Sequence, residues 1–472
     1  MTDVRARLAA MQEGDLPVHG GRTLAYVYDS GLAEVDALGR DAVAAYAGSN
    51  GLDPTAFPSL LAMENDLVAT ACDLLDAPEG AVGTVTSGGT ESCLLAVQAA
   101  RDAHPEVTDP AIVVPDTVHA AFHKAAHYFG LRTVVVPVGG DFRADAAAMA
   151  AALDATTVLV VVSAPSYAHG VVDPVTEVAA AAAARGVRCH VDACIGGWVL
   201  PYAARLGRRV PPWTFAVEGV TSISVDLHKY GYAPKGTSLL LHRTAALRRP
   251  QYFAWADWPG YTMLNSTMQS TKSGGPLAGA WAVTREIGDE GYLRLAEAAL
   301  TATDAVVRGV PSSLSVVAPP ESTLVALETD GSCDVFTVAD EMAARGWYVQ
   351  PQMSYAGRPP TLHLSLSAAT DADGFLAALS DAVAAAVAAG PVTVDPEVVA
   401  FIEALDPTAL TDDDFDGLLA ASGLVGASDD GGLALPDRMA GVNALLDVAS
   451  PRMREALLVA FLDRLSRPAD RL

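Results

Sequence analysis

The stretch Val220–Gly236, VTSISVDLHKYGYAPKG, decides how the chain is read. Its first six residues alternate and are rich in β-branched side chains, which predicts a strand, and Asp226-Leu-His-Lys-Tyr-Gly then breaks the alternation with polar and turn-forming residues. Lys229 is thereby placed at a strand's end. A lysine held there can condense with an aldehyde, such as that of pyridoxal phosphate, provided that its surroundings lower the amine pKa from about 10.4. His228 stands beside it, where a phosphate or the edge of such a ligand could be met. Alone, the pair describes a solvated turn, because lysine is mostly exposed. Its weight comes from the ends of neighbouring strands.

Upstream, the strand-like Val82–Val85 runs into TSGGTES (86–92), and a helical pattern follows from Glu91 to Ala103. Strand, small-residue loop and helix point backbone N–H groups at an anion, with the helix dipole assisting, so Gly88, Gly89 and Thr90 are candidate phosphate contacts. Apolar strands are then predicted at Ala111–Val114, Thr133–Val136, Val158–Val162 and Arg188–Val191, separated by helices at His119–Phe129, Asp145–Leu153 and Val175–Arg185. That alternation predicts an α/β fold with a largely parallel sheet covered on both faces. Ligands of such sheets gather at the strands' carboxyl ends, where His119, His169 of SAPSYAHG, and Asp192 of HVDAC all fall.

The 472 residues, 51% of them hydrophobic, allow two or three domains with large cores. Residues 1–55 read as an N-terminal arm, 56–310 as the large domain, 311–394 as a smaller α+β domain and 395–472 as an acidic helical extension. Thirty Lys and Arg against 56 Asp and Glu give a net charge of −26, which argues against nucleic acid or anionic membranes as partners. Five cysteines in mostly apolar surroundings, without metal-ligand spacing, read as reduced thiols of a cytoplasmic protein with no metal site. The first residues lack an uninterrupted apolar run, and no stretch of about 18 apolar residues is evident, so neither an export signal nor a membrane span is expected. Residues 250–275 are aromatic, Gly- and Thr-rich and without periodicity, as binding loops often are.

Taken together, GTVTSGGTES, PDTVHAAFHKAAHYFG, SAPSYAHGVVD, HVDACIGG, VTSISVDLHKYGYAPKG and RGW followed by LHLSLS resemble the pyridoxal-phosphate-dependent group II decarboxylase family, in particular its sphingosine-1-phosphate lyase-like branch. The resemblance covers roughly residues 20 to 390. It implies fold type I, the aspartate-aminotransferase-like fold, in a homodimer whose sites lie at the subunit interface. Lys229 would then carry the cofactor and Asp192 would pair with its pyridine nitrogen, keeping the ring an electron sink. His119 would stack on the ring and Cys194 would pack against it. Gly88, Gly89, Thr90, His169 and His228 would complete the cofactor's contacts, with Ser270 or Thr271 reaching it from the second subunit.

Departures from the family pattern concern the substrate. Lys272 stands where the lyase branch has an arginine, Tyr261 is displaced by two positions within DWPGYTM, and Asp53 replaces a histidine. Tyr26, Asn50, Asp53, Lys235 and Lys272 are the candidate contacts to a small amino substrate, and Lys235 and Tyr261 are candidates for handling its protons. Asp53 either disfavours a phosphorylated substrate or caps the turn before Pro54. The expected activity is carbon–carbon cleavage at Cα, by decarboxylation or by retro-aldol cleavage. A catalytically reduced scaffold that binds a partner is the alternative from another class.

Overall fold

Alternating and valine-rich runs build one seven-stranded sheet in the computed structural model, which describes residues 3–422, 426–427, 433–434 and 436–466. Its strands are β1 (Val82–Thr86), β2 (Ala111–Pro115), β3 (Arg132–Val136), β4 (Thr157–Ser163), β5 (Arg188–Asp192), β6 (Val220–Asp226) and β7 (Ser238–His242), in the spatial order β1-β7-β6-β5-β4-β2-β3. Only β7 runs against its neighbours. All the others therefore end at the same edge, and the register Ser163↔Asp192↔Ser224 sets polar strand ends side by side. Every residue of β2 and β4 is buried, as expected of strands covered on both faces.

Helix Gly89–Asp102 starts directly after β1 and buries most of its length. Helix Gly274–Gly309 joins the large domain to the small one. It breaks at Gly288, whose φ of 60° a side chain would strain. Between these helices the aromatic stretch forms a hairpin of β8 (Phe253–Trp255) and β9 (Met263–Asn265), which the lack of periodicity did not reveal.

The small domain is an antiparallel sheet of β10 (Leu314–Val316), β11 (Leu324–Thr329), β12 (Gln350–Gln352) and β13 (Thr361–Ser365), in the order β10-β11-β13-β12. Helices Val335–Ala344 and Ala372–Ala389 pack on it. The second is long and apolar enough, at a mean hydropathy of 1.5, to cross a membrane by length and composition, contrary to the expectation that no such stretch exists. Here its Phe375, Leu379, Ala382 and Ala386 join the small domain's core instead.

The first 55 residues are woven into both domains. The Leu24 amide donates to the Tyr348 carbonyl at 2.9 Å and the Ser365 amide to the Leu24 carbonyl at 2.7 Å, while helix Ala33–Ala45 lies along helix Gly274–Gly309. At the other end, helices Pro396–Ala404, Asp412–Ser422, Ala440–Val448 and Pro451–Leu465 share a core that includes Ile402, Phe415, Leu445 and Met453.

Candidate active site

Lys229 follows β6 by one short turn, and its amine folds back onto the last residue of that strand. Nζ lies 3.0 Å from Asp226 Oδ2, in surroundings where the aspartate is almost wholly buried. Burial disfavours the ammonium, but the charge of Asp226 overcomes it and lifts the lysine well above its ordinary range. The expected lowering of this pKa is thus reversed, because the strand end supplies a carboxylate as well as a dry pocket. Burial likewise works against the Asp226 charge, yet Lys229, His228 and the Ser238 hydroxyl at 2.6 Å hold its carboxyl below the usual range.

The cavity at this strand edge has a volume of about 430 Å³, and its walls include Gly89, Thr90, His119, Asp192, Cys194 and Lys229. Gly89 is required by close approach: a Cβ there would come within 2.7 Å of the Asp226 carboxylate and 2.9 Å of Cys194 Sγ. As the start of a helix, Gly89 and Thr90 present amides that have no intrahelical acceptor. Asp192 Oδ1 accepts from the Cys194 amide at 3.1 Å, and Ser224 lies behind it, hydrogen-bonded to His190 Nε2 at 3.1 Å. Burial pulls His190 down to about 4, so this support is neutral.

His228 donates Nδ1–H to the Thr237 carbonyl at 2.9 Å, and burial lowers its pKa. Its Nε2 lies 3.7 Å from Asp226 Oδ2. The Cys194 thiol is pushed well up by its hydrogen bond with Cys93 and by burial, which suits packing against a ligand rather than nucleophilic attack. His119 stands exposed at the cavity wall, edge-on to Tyr167.

Lys235 lies near this group without lining the cavity. Its Nζ donates to the Tyr26 carbonyl at 2.6 Å and sits over the Tyr28 ring, and desolvation together with the Lys229 charge pulls it down to about 8. The remaining candidates lie elsewhere in the protomer. His169 is stacked on Phe142 at 4.2 Å in an adjoining cavity. Tyr26 is largely exposed and its hydroxyl accepts from Gln350. Lys272 is committed to Glu64 at 2.7 Å, and Asn50 bridges the neighbouring Ser273. Asp53 accepts from the Thr55 amide and hydroxyl at 2.8 and 2.6 Å, a solvated cap of the turn at Pro54 rather than a wall of either cavity. Tyr261, Ser270 and Thr271 are exposed, on or after the β8–β9 hairpin. Reach across a subunit interface, not position within one chain, is what those residues would need.

Three further residues of the lysine's cavity were not singled out from sequence. Asp226 lies inside the quoted stretch, and its signal was a carboxylate three residues before a strand-end lysine. Tyr167 lies in SAPSYAHG and stacks on His363 at 4.1 Å. Glu91 accepts from the Ser87 amide at 2.6 Å and the Met268 amide at 2.8 Å, tying the phosphate-type loop to the hairpin's base.

Residues 24–309 match the family model for the pyridoxal-dependent decarboxylase conserved domain. The chain belongs to that family. Residues 396–464 match a second model, the C-terminal HTH domain of pyridoxal-dependent enzymes. A sphingosine-1-phosphate lyase of Arabidopsis thaliana is 38% identical over 361 residues, which are 74% of this chain and 65% of that protein. The "Probable L-tyrosine/L-aspartate decarboxylase" of Methanothermobacter thermautotrophicus is 31% identical over 331 residues, 70% of this chain and 88% of that one. Among solved structures, the sphingosine-1-phosphate lyase of Burkholderia pseudomallei K96243 superposes with a TM-score of 0.75 at 34% identity, over 82% of this chain and 90% of that chain. The expected α/β fold type I is thereby confirmed. The family's cofactor is pyridoxal phosphate, and the donor set fits it: an amine, a carboxylate and a helix N-terminus face one cavity. When bound, that group supplies an electron sink for bond breaking at Cα.

Proposed function

We propose that the chain is a pyridoxal-phosphate-dependent lyase that cleaves a carbon–carbon bond at Cα of an amino compound. The observation that carries this reading is Lys229 Nζ at 3.0 Å from a buried carboxylate, in a cavity that also holds Asp192 and the Gly89–Thr90 helix start. Lys229 would hold the cofactor. Asp192, backed by Ser224 and His190, would keep a proton on the pyridine nitrogen, and the Gly89 and Thr90 amides with His228 would take the phosphate. Asp226 would keep the Ser238 hydrogen bond whenever the Lys229 amine is engaged. His119 would cover the ring.

Two versions of the cleavage differ in what leaves. Decarboxylation releases carbon dioxide and needs an acid to reprotonate Cα; retro-aldol cleavage needs a base for a β-hydroxyl proton and releases an aldehyde. Identity of 34 to 38% to sphingosine-1-phosphate lyases favours the second. The pairing of Lys272 with Glu64 favours the first, since it neutralises within the protomer the cation that stands where that branch has an arginine. We read the protein as a homodimer in the cytoplasm, because Ser270, Thr271 and Tyr261 are exposed and absent from the cavity's walls within one protomer, as residues donated to a second copy would be, and the five cysteines are free thiols. The C-terminal domain carries thirteen carboxylates against four arginines over residues 396–464, which works against a nucleic-acid backbone as its partner.

The deciding experiment is borohydride reduction of the cofactor-loaded protein, peptide mass spectrometry, and parallel assay of carbon dioxide and aldehyde from amino acids and amino alcohol phosphates. A pyridoxyl group on Lys229 and one of the two products are expected. Attachment at Lys235, or a loaded protein inert to every compound, would refute the reading.

A further inference from the structure

Beside the lysine's cavity lies a second one of about 500 Å³, and His119 and Tyr167 belong to the walls of both. Part of its wall comes from the small domain, through Met353, Tyr355 and Arg358. The Arg358 guanidinium lies over the Phe142 ring at 4.9 Å, and that ring is stacked in turn on His169. Phe142 adopts a φ of 65°, an uncommon backbone conformation for so bulky a residue, at the centre of this stack.

Charge in this wall is unevenly satisfied. Asp116 accepts from the Val138 amide at 3.2 Å and Glu328 from the Ser315 hydroxyl at 3.3 Å. Arg358 makes no ion pair among the described residues, in a chain whose net charge is −26. His169 Nδ1 is buried without a partner among the described residues, and burial together with Arg358 draws this imidazole down to about 4, so at neutral pH it can offer an N–H without adding charge.

We propose, resting on the reading of the chain as a lyase of amino compounds, that this second cavity receives a carboxylate carried by the substrate at the end remote from its amine. Arg358 binds that carboxylate through its planar fork, and His169 Nδ1 supplies a further donor. A carboxylate suits the site better than a phosphate monoester. One guanidinium neutralises a single negative charge, whereas a phosphate's further charge would face Asp116 and Glu328 in the same wall. The substrate class is therefore an amino acid with a second carboxylate.

The test compares L-aspartate with L-asparagine, L-glutamate with L-glutamine, and phosphoethanolamine with ethanolamine on the cofactor-loaded protein. Binding of all six is read from the cofactor's absorbance, and turnover of the four amino acids from carbon dioxide, while phosphoethanolamine and ethanolamine, with no carboxylate to lose, report binding alone. At least one acid should exceed its amide about tenfold or more in kcat/KM, and Arg358→Gln should reduce that ratio about tenfold, chiefly through the acid's KM. Arg358→Lys should restore part of it, since charge returns without the fork. Acids and amides handled alike, a ratio unmoved by Arg358→Gln, or a preference for phosphoethanolamine over every acid would overturn this inference while leaving the lyase reading intact. A loaded protein that binds none of the six overturns this inference, and the lyase reading falls with it only if the wider panel of amino acids and amino alcohol phosphates also yields no product.

Discussion

At Lys229, burial and charge pull in opposite directions, and Asp226 decides the outcome. With both partners in place the amine is held as an ammonium, so the proton must leave before the nitrogen can act as a nucleophile. Asp226→Asn keeps the shape and removes the charge, leaving burial as the dominant influence. Breaking a buried pair usually costs about 3–5 kcal/mol when the remaining charge is stranded. Here the lysine can escape that cost by deprotonating. The lysine pKa should therefore fall, and attachment of added cofactor to the cofactor-free variant should become faster near neutral pH, with its pH midpoint moved in the acid direction. Stopped-flow absorbance across pH measures this directly, and a midpoint identical to that of the parent protein would refute the role given to Asp226. Lys229, Asp192 and the Gly88–Thr90 loop were legible in the sequence because each stands at or just after the end of a clear strand. Asp226 was not, because alternation reports which residues share a strand face and not which carboxylate a side chain three residues later folds back to meet.

Strands and helices were read most accurately where burial imposes a single period. The β4 run TVLVVVS is the example, buried along its whole length. The β8–β9 hairpin escaped because its strands have three residues each and their side chains are mostly exposed, leaving no apolar alternation to detect. That exposure has a consequence for assembly. Phe253, Trp255, Trp258, Tyr261 and Leu264 are all more than 40% exposed on one short element, the kind of apolar surface that marks an interface. The chain should sediment at twice its 48.7 kDa, and Trp255→Ser combined with Trp258→Ser should shift it toward the monomer and lower turnover in parallel. Sedimentation of the parent protein as a fully active monomer would remove the shared-site reading of Ser270, Thr271 and Tyr261.

Across the whole molecule, the acidic C-terminal domain holds the small domain at points that no local pattern announces. Asp340 accepts from the Met439 and Ala440 amides at 2.9 Å each, and Asp447 Oδ1 accepts from the Ser354 amide at 2.6 Å across 93 residues of sequence. Such contacts were illegible because they depend on how finished domains meet, whereas periodicity and capping signals describe only neighbours along the chain. Ser354 is the root of the turn closed by the Tyr355 and Arg358 backbones, whose amide-to-carbonyl bonds measure 3.1 and 2.9 Å. That turn carries Arg358 to the second cavity, so the C-terminal domain anchors part of the substrate's surroundings without touching the lysine's cavity. Asp447→Ala would strand the Ser354 amide, at a cost of about 1–3 kcal/mol, and loosen the turn. The expected outcome is a lower Tm and a several-fold rise in substrate KM with kcat within about twofold of the parent. Asp447→Asn, whose Oδ1 still accepts, should recover most of both. A fall in kcat with KM unchanged would instead mean that the domain acts on the lysine's own strand edge, and the anchoring role of Asp447 would have to be abandoned.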